Sequence, residues 1–249
     1  MSAALPTVFL HGFLGAPAAW DEVLRFLEPA GEALAPTLPC HGREPWVPTC
    51  TTFDEIVDAF VLRLPARAHL VGYSMGARVA LGIAARHPAR VASLVTVGLH
   101  PGLEDDTERR ARRAWDEGLA QDLEAKGMTA FVDAWEKLPL WDTQRDLPLA
   151  VRTRRRDERL AQVPIALAWA MRTLGLAAMP PMWDALAALA VPVHLVTGAR
   201  DAKFTEIARR AVLRAPSCVH TAVGGAGHDV GLEAPRALAQ IVRTAITGA

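Results

Sequence analysis

The sequence GYSMG at residues 72–76 constrains the fold more than any other part of the chain. It follows a short apolar run at 69–71 and opens a helical pattern, which is the strand–turn–helix context of a G-x-S-x-G motif. The glycines suit a turn so tight that larger side chains would collide with the strand or the helix. Such a turn predicts an exposed Ser74 hydroxyl and a Met75 backbone N–H that can stabilise developing negative charge. A glycine-rich turn with an idle serine is the alternative.

Short apolar runs alternate with helical patterns in the first and last parts of the chain. Strands are expected at 7–10, 33–38, 68–72, 91–97, 193–197 and 218–223. Helices are expected at 17–28, 53–64, 75–86, 206–213 and 235–246. This repeated alternation predicts an α/β fold, with a mostly parallel central sheet and helices on both faces.

Residues 101–188 interrupt the alternation with helical patterns and few strand signals. The segment is dense in charge at first and becomes rich in Ala, Met and Trp after residue 165. We interpret it as a helical cap inserted into a core formed by residues 1–100 and 189–249. The arginine-rich run 152–156 within it is expected to be solvated surface, because most runs of like charge are.

Charge and cysteine content narrow the partners and the compartment. The 27 basic and 27 acidic residues cancel, which argues against a nucleic-acid partner because such proteins need a positive field. Only three of the basic residues are lysines, so arginine dominates. No apolar run reaches the roughly 20 residues of a membrane span. Cys40, Cys50 and Cys218 form no paired framework, which favours a reducing cytoplasm.

Three further positions complete a candidate catalytic set. Phe13 follows a strand that ends in His-Gly, so its backbone N–H is the expected second half of an oxyanion hole with Met75. Asp201 comes just after a strand, and His228 lies in a glycine-rich loop before the last helix. In the chain order Ser74, Asp201, His228, these residues fit a nucleophile, acid and base. The acid would orient the base, and the base would take the serine proton.

Other acids and histidines remain as alternatives or receive structural roles. Asp229 adjoins His228, although neighbours in sequence seldom have the geometry for this pairing. Residues 104–106 are acidic and follow an earlier strand, a position that can also supply the acid. His11 and His41 are interpreted as loop-forming residues. No His and Glu spacing typical of a metal site occurs, so neither a metal nor a cofactor is expected.

With these elements placed, the chain resembles the α/β-hydrolase superfamily over nearly its full length. A narrower resemblance is carried by VFLHGFLG, VGYSMGARVA, HPGL and FVDAW, at residues 8–15, 71–80, 100–103 and 131–135. These stretches are similar to the 2-succinyl-6-hydroxy-2,4-cyclohexadiene-1-carboxylate (SHCHC) synthases of menaquinone biosynthesis. The loop 39–44 departs from the superfamily pattern because it carries Cys and Glu in place of Gly and Ser.

The resemblance implies a lyase that eliminates pyruvate from a cyclohexene carboxylate bearing a succinyl group and an enolpyruvyl ether. Ser74, relayed by His228 and Asp201, would act as the base at the ring carbon next to the succinyl ketone. The oxyanion hole would stabilise the resulting enolate. Two alternatives stay open: a serine hydrolase, either a carboxylesterase or a C–C bond hydrolase, and a non-catalytic receptor for a small ligand.

The substrate of that family is a small polycarboxylate, and the forked donors of arginine suit carboxylates. The resemblance implies a substrate-binding set of six residues: Tyr73, Arg78, Arg109, Arg112, Trp135 and Lys203. Arg109 is included because it lies one helical turn before Arg112 on the same face. A solvated basic helix face is the alternative for these two arginines. The oligomeric state is left open.

Overall fold

The computed structural model describes residues 4–27 and 31–248. One six-stranded sheet runs through it, in the order β2-β1-β3-β4-β5-β6. The strands are β1 Thr7–Leu10, β2 Ala33–Leu34, β3 Ala68–Tyr73, β4 Val91–Val97, β5 Val193–Gly198 and β6 Cys218–Val223. Every neighbouring pair is parallel. The carboxyl ends of all the strands therefore lie along one edge of the sheet, which is where open α/β sheets place their ligands.

Helices connect the strands and cover the sheet. They are α1 Asp21–Phe26, α2 Phe53–Val61, α3 Met75–Arg86, α4 Asp106–Trp135, α5 Leu149–Leu160, α6 Pro164–Leu174, α7 Trp183–Ala187, α8 Ala202–Arg214, α9 Val230–Glu233 and α10 Pro235–Thr247. Within the two described ranges, no helix combines the length and apolar character needed to cross a membrane.

The sheet separates two hydrophobic clusters because successive strand residues face opposite sides. Leu70 and Leu94 belong to one cluster, together with side chains of α2 and α3. Val71 and Val95 belong to the other, together with side chains of α1 and α10. Both faces of the sheet are therefore covered, and the predicted α/β architecture is confirmed.

Several predicted boundaries differ from the structure, and the helix expected at 53–64, for example, ends at Val61. The strand expected at 33–38 ends at Leu34, because Pro36 has no N–H for the ladder. The helix expected at 17–28 is a 3-10 turn followed by α1, which ends at Phe26, and Glu28 lies outside the described residues. The helix expected from 206 begins at Ala202, because the Asp201 side chain accepts the Phe204 N–H as an N-cap.

We call residues 101–188 the helical insertion, since they supply α4 to α7 between β4 and β5. Helix α4 is interrupted at Gly127, whose φ of 72° and ψ of −177° are not helical. A separate apolar cluster joins Leu123 of α4 to Leu167 of α6, and it also contains Leu14 from the loop after β1. The division into a core at 1–100 and 189–249 and a cap at 101–188 stays a prediction.

Candidate active site

Ser74 occupies the turn between β3 and α3 in a conformation that few serines adopt. Its φ is 51° and its ψ is −107°, which is strained backbone of the kind found at functional sites. The Ser74 N–H donates to the Val97 carbonyl at 2.8 Å. A Cβ at Gly76 would lie 2.1 Å from the Leu10 carbonyl oxygen, so no larger residue fits there. The close approach of β1 and α3 thus explains the second glycine of the motif.

The predicted triad residues lie within hydrogen-bonding distance of one another. His228 Nδ1 is 2.7 Å from Asp201 Oδ2, and His228 Nε2 is 3.2 Å from Ser74 Oγ. Asp201 and His228 are both buried. Because the carboxylate accepts the Nδ1–H, Nε2 is left to accept the serine proton. The arrangement can deprotonate Ser74, or a substrate carbon through Ser74.

Three of the four rival acids bind other partners, and one of them, Asp105, accepts the Glu108 N–H at 2.8 Å as the N-cap of α4. The Asp229 carboxylate accepts from Arg155 Nη2 at 2.7 Å. Glu104 pairs with Arg210 and Arg214 at the surface. Asp201 is therefore the acid that the geometry places on the proposed base.

The His228 ring is held in place by three aromatic rings and a glycine. The ring centroids of Phe204, Tyr73 and Trp141 lie 4.4, 5.4 and 5.8 Å from its own. Gly98, with φ of 62°, passes beneath it, and a Cβ there would lie 2.6 Å from the imidazole Cε1. The chain leaves no room for the ring to shift toward β4.

The loop after β1 lies beside the serine. Phe13 and Met75 both line the cavity that Ser74 faces, as an oxyanion hole requires. Leu14 has a φ of 61°, and the Gly15 N–H closes the turn by donating to the Gly12 carbonyl at 3.0 Å. Oxyanion stabilisation by the N–H groups of Phe13 and Met75 stays a proposal.

A cavity of about 550 Å³ opens at this edge of the sheet, between the strands and the helical insertion. Ser74 and His228 lie in its wall. Five of the six residues assigned to substrate binding share that wall: Tyr73, Arg78, Arg112, Trp135 and Lys203. These five residues come from β3, α3, α4 and the start of α8, and they surround one cavity.

Two arginines, together with Lys203, give the cavity its positive charge. Arg78 is 8% exposed, and its Nη1 donates to the Leu174 carbonyl at 2.7 Å. Burial, followed by the nearby Arg112 charge, lowers the pKa of Arg78 to about 9. Arg112 donates from Nε to Asp116 at 2.7 Å, and its guanidinium lies 4.5 Å from the Trp115 ring centroid. An anion between the two guanidinium groups would relieve their repulsion.

The alpha/beta hydrolase family model matches residues 7–241. The chain belongs to the α/β hydrolase family. A protein of Enterobacter sp. (strain 638) named SHCHC synthase is 33% identical to it, over 96% of this chain and 92% of its own. A Bacillus subtilis (strain 168) protein that carries this synthase name provisionally is 34% identical, over 99% of this chain and 92% of its own. Within the α/β hydrolases, the chain therefore belongs to the SHCHC synthase family.

A solved structure agrees with this assignment. MenH from S. aureus superimposes with a TM-score of 0.94 and 28% identity, and the match covers 100% of this chain and 95% of that one. The helical insertion is part of the match, so the likeness includes the cavity's roof as well as the sheet.

One of the six residues predicted to bind the substrate lies outside the cavity of this α/β hydrolase. Arg109 does not line the cavity as the structure describes it. Its Nη2 donates to the Met179 carbonyl at 2.8 Å, and Arg113 donates likewise to the Ala177 carbonyl. The two arginines thus donate to two carbonyl groups of the segment between α6 and α7. Helical spacing placed Arg109 near Arg112 but could not show that this segment covers it.

Sequence reasoning missed several residues that line the cavity, and Trp141 and His100 are two of them. Trp141 comes from the 3-10 helix Pro139–Asp146 and contacts the His228 ring. His100 follows β4, and burial together with nearby cations, Arg78 first among them, lowers its pKa to about 3. The HPGL stretch at 100–103 was a signal for His100. Trp141 had no sequence signal, because an isolated tryptophan in a helical segment is more often core.

The expectation that residues 152–156 are solvated surface is wrong for Arg155. Its side chain is buried, and it donates to Asp229 at 2.7 Å and to Glu158 at 3.1 Å. This face of α5 packs against the loop that carries His228. Arg155 therefore joins the helical insertion to the core beside the proposed base.

His11 and His41 support the loop after β1 from behind. His11 Nε2 accepts the Leu38 N–H at 3.0 Å, and its Nδ1 lies 2.9 Å from the Gly12 carbonyl oxygen. The His41 ring packs edge-on against the His11 ring. Burial lowers the pKa of His11, and it lowers the pKa of His41 to about 4. Both rings are therefore neutral in the folded protein at neutral pH.

This burial predicts a loss of stability in acid. Between about pH 6.5 and 4, the unfolded chain protonates His41 while the folded protein does not, so the free energy of unfolding falls as the pH falls. His41→Phe should reduce this slope by up to about 1.4 kcal/mol per pH unit. Urea unfolding of both proteins at several pH values between 7 and 4.5 measures the slopes. Equal slopes would show that His41 titrates normally in the fold.

Proposed function

We propose that this chain eliminates pyruvate from 2-succinyl-5-enolpyruvyl-6-hydroxy-3-cyclohexene-1-carboxylate, the reaction of an SHCHC synthase in menaquinone biosynthesis. The observation that carries the proposal is one cavity that joins Ser74 and His228 to Arg78, Arg112 and Lys203. Such a space combines a base with fixed cations. A site for a neutral ester needs the base but no fixed cations.

The reaction needs a base, an oxyanion site and no covalent intermediate. Ser74, with its proton passed to His228, removes the proton from the ring carbon next to the succinyl ketone. The electrons move into the ketone oxygen, where the N–H groups of Phe13 and Met75 stabilise the enolate. Collapse of the enolate breaks the ring C–O bond. The ring double bond shifts by one position as the enolpyruvate leaves, so that the ring gains a conjugated diene, and the enolpyruvate takes up a proton to become pyruvate.

The substrate carries three carboxylates, and the cavity supplies cations for them. Arg78 lies on α3, one helical turn beyond Ser74, while Arg112 comes from α4 of the helical insertion. Lys203 lies at the start of α8, two residues after the acid. Trp135 contacts Phe13 with ring centroids 5.4 Å apart, so it is placed to cover a ligand. We propose that these cations hold the carboxylates while the ketone faces Ser74.

The remaining parts of this proposal concern partners and compartment. The balanced charge of the chain favours a small polycarboxylate over a nucleic acid as its partner. A cytoplasmic location and the absence of a cofactor stay predictions from the sequence. Among the described residues, no cluster of His, Cys, Asp or Glu that could hold a metal occurs.

The deciding experiment offers the enzyme its proposed substrate and a simple ester in parallel. Pyruvate release is followed with lactate dehydrogenase and NADH, and diene formation by its ultraviolet absorbance. We expect pyruvate and diene in equal amounts, and slow turnover of p-nitrophenyl acetate. Fast ester hydrolysis without pyruvate would support the serine hydrolase alternative. Binding with neither reaction would support the receptor alternative.

Arg112→Met should weaken catalysis by about 2 kcal/mol, or roughly 30-fold in kcat/KM. The reason is that a substrate carboxylate loses its charged partner inside the cavity. Arg110→Met is the matched control, because Arg110 is exposed on the same helix and bonds to Thr107. The coupled pyruvate assay measures both variants. If the two variants matched the parent enzyme, Arg112 would be a surface residue without a role in binding.

A further inference from the structure

A single amide side chain joins the helical insertion to two loops of the core. Gln162 lies between α5 and α6 and is 6% exposed. Its Nε2 donates to the Gly15 carbonyl at 3.0 Å and, at a longer 3.4 Å, to the Glu158 carbonyl. Its Oε1 accepts the Gly42 N–H at 2.6 Å. Both ends of the amide are thus used on segments far from it in sequence.

The two loops that Gln162 joins are both strained. Leu14 has a φ of 61° and Cys40 a φ of 66°, in the left-handed region that larger residues rarely adopt. Such conformations persist only where neighbouring contacts hold them. Gly15 and Gly42 each lie within two residues of a strained position, so the amide of Gln162 acts where the backbone most needs support.

Phe13 lies inside the turn that this amide fixes. The Gly15 N–H closes the turn on the Gly12 carbonyl, and the Gly15 carbonyl is the group that Gln162 binds. The Phe13 ring packs edge-on against His41 at 5.8 Å, in the second loop. The position of the Phe13 backbone therefore depends on both loops that the amide connects.

We propose that Gln162 is a positioning residue, which holds the turn at 12–15 so that the Phe13 N–H points at the developing oxyanion. This inference rests on the proposed function, which supplies both the reaction and the oxyanion hole. Gln162 does not line the cavity as described, so it acts through the loop and not on the substrate. Only a side chain with both a donor and an acceptor can satisfy Gly15 and Gly42 together.

Gln162→Met keeps the length of the side chain and removes both hydrogen bonds. We expect kcat for pyruvate release to fall by roughly 10- to 100-fold, because one oxyanion donor moves out of place. KM should change less than about threefold, since the ground state does not use that donor. Gln121→Met is the control, because Gln121 makes one exposed hydrogen bond to Glu117 on α4. A parental kcat in folded Gln162→Met would overturn the proposal.

A second variant separates the two contacts and guards against a folding defect. Gln162→Glu retains an oxygen for the Gly42 N–H but, once ionised, cannot donate to the Gly15 carbonyl. We expect its kcat to be reduced, and to fall further relative to the parent enzyme as the pH rises from 6 to 9. Urea unfolding gives the folded fraction for each rate. Parental kcat across this range would assign Gln162 to anchoring the second loop alone, and would contradict the proposal.

A probe that does not depend on the lyase reaction completes the test. Phenylboronic acid adds to an activated serine and places a tetrahedral oxyanion in the hole. We expect its Kd to rise at least roughly tenfold in Gln162→Met, as for a lost oxyanion contact, and to stay unchanged in Gln121→Met. If the parent enzyme released no pyruvate, the proposed function would fail while this comparison still decided the role of Gln162. An unchanged Kd in Gln162→Met would overturn that role.

Discussion

Replacing Ser74 with alanine is expected to reduce kcat for pyruvate release by about 10²- to 10⁴-fold, the usual contribution of a positioned general base. In the proposed reaction, the hydroxyl is the group that connects the substrate carbon to His228, whose Nε2 lies 3.2 Å from Ser74 Oγ. The arginines of the cavity remain in place, so the diene product should still bind. Stopped assays of pyruvate give kcat, and calorimetric titration with the diene product gives its affinity.

Ser93→Ala is the matched control for this experiment. Ser93 is buried on β4 and lies 2.8 Å from a histidine nitrogen, that of His69, but in a different part of the molecule. Its replacement should leave kcat unchanged. If Ser74→Ala abolished hydrolysis of p-nitrophenyl acetate but kept pyruvate release, Ser74 would be a hydrolase nucleophile and its assignment as the lyase base would be wrong.

Gly98→Ala should lower kcat/KM by about 10²- to 10³-fold, because small misplacements of a catalytic group have effects of this size. The new Cβ would lie 2.6 Å from the His228 ring, and the φ of 62° is unfavourable for alanine. The ring cannot retreat easily, since Phe204 packs against it with ring centroids 4.4 Å apart. With Phe204 packed against the ring and the new methyl group pressing on it, the imidazole must be displaced sideways relative to Ser74. Steady-state kinetics and a crystal structure of the variant measure the loss and the displacement.

Gly118→Ala provides the comparison within the same chain. Gly118 lies in α4, and a Cβ there would meet no atom within 4 Å. This variant should keep its activity and gain up to about 1 kcal/mol in stability, because alanine favours helix over glycine. Full activity in Gly98→Ala, with His228 in its original position, would show that the site tolerates a methyl group beneath the base.

The site residues whose positions could be predicted from the sequence are those that follow from local rules. Ser74, Asp201 and His228 each come just after a strand or in a short loop, and parallel strands bring their carboxyl ends to one edge. The glycines at 72 and 76 are required by close contacts among β1, β3 and α3. The family motifs added Arg78 and Arg112, which lie in the cavity wall.

The residues that could not be predicted depend on how distant segments pack. A run of arginines has the same pattern whether its helix faces water or the core, so the burial of Arg155 was not visible. Arg109 has the helical spacing of a partner for Arg112, but the segment between α6 and α7 packs over it. Trp141 reaches His228 only because the helical insertion folds back over the sheet. Sequence spacing carries no information about such contacts.

The buried pair of Arg155 and Asp229 also limits how this enzyme can be recombined. A chimera that replaced residues 101–188 with a segment lacking this arginine would leave the Asp229 carboxylate buried beside His228, the proposed base. An unpaired buried charge of this kind costs about 3–5 kcal/mol, a large part of the stability of a typical protein. Position 229 must therefore be exchanged together with the insertion, although it lies more than forty residues beyond its end.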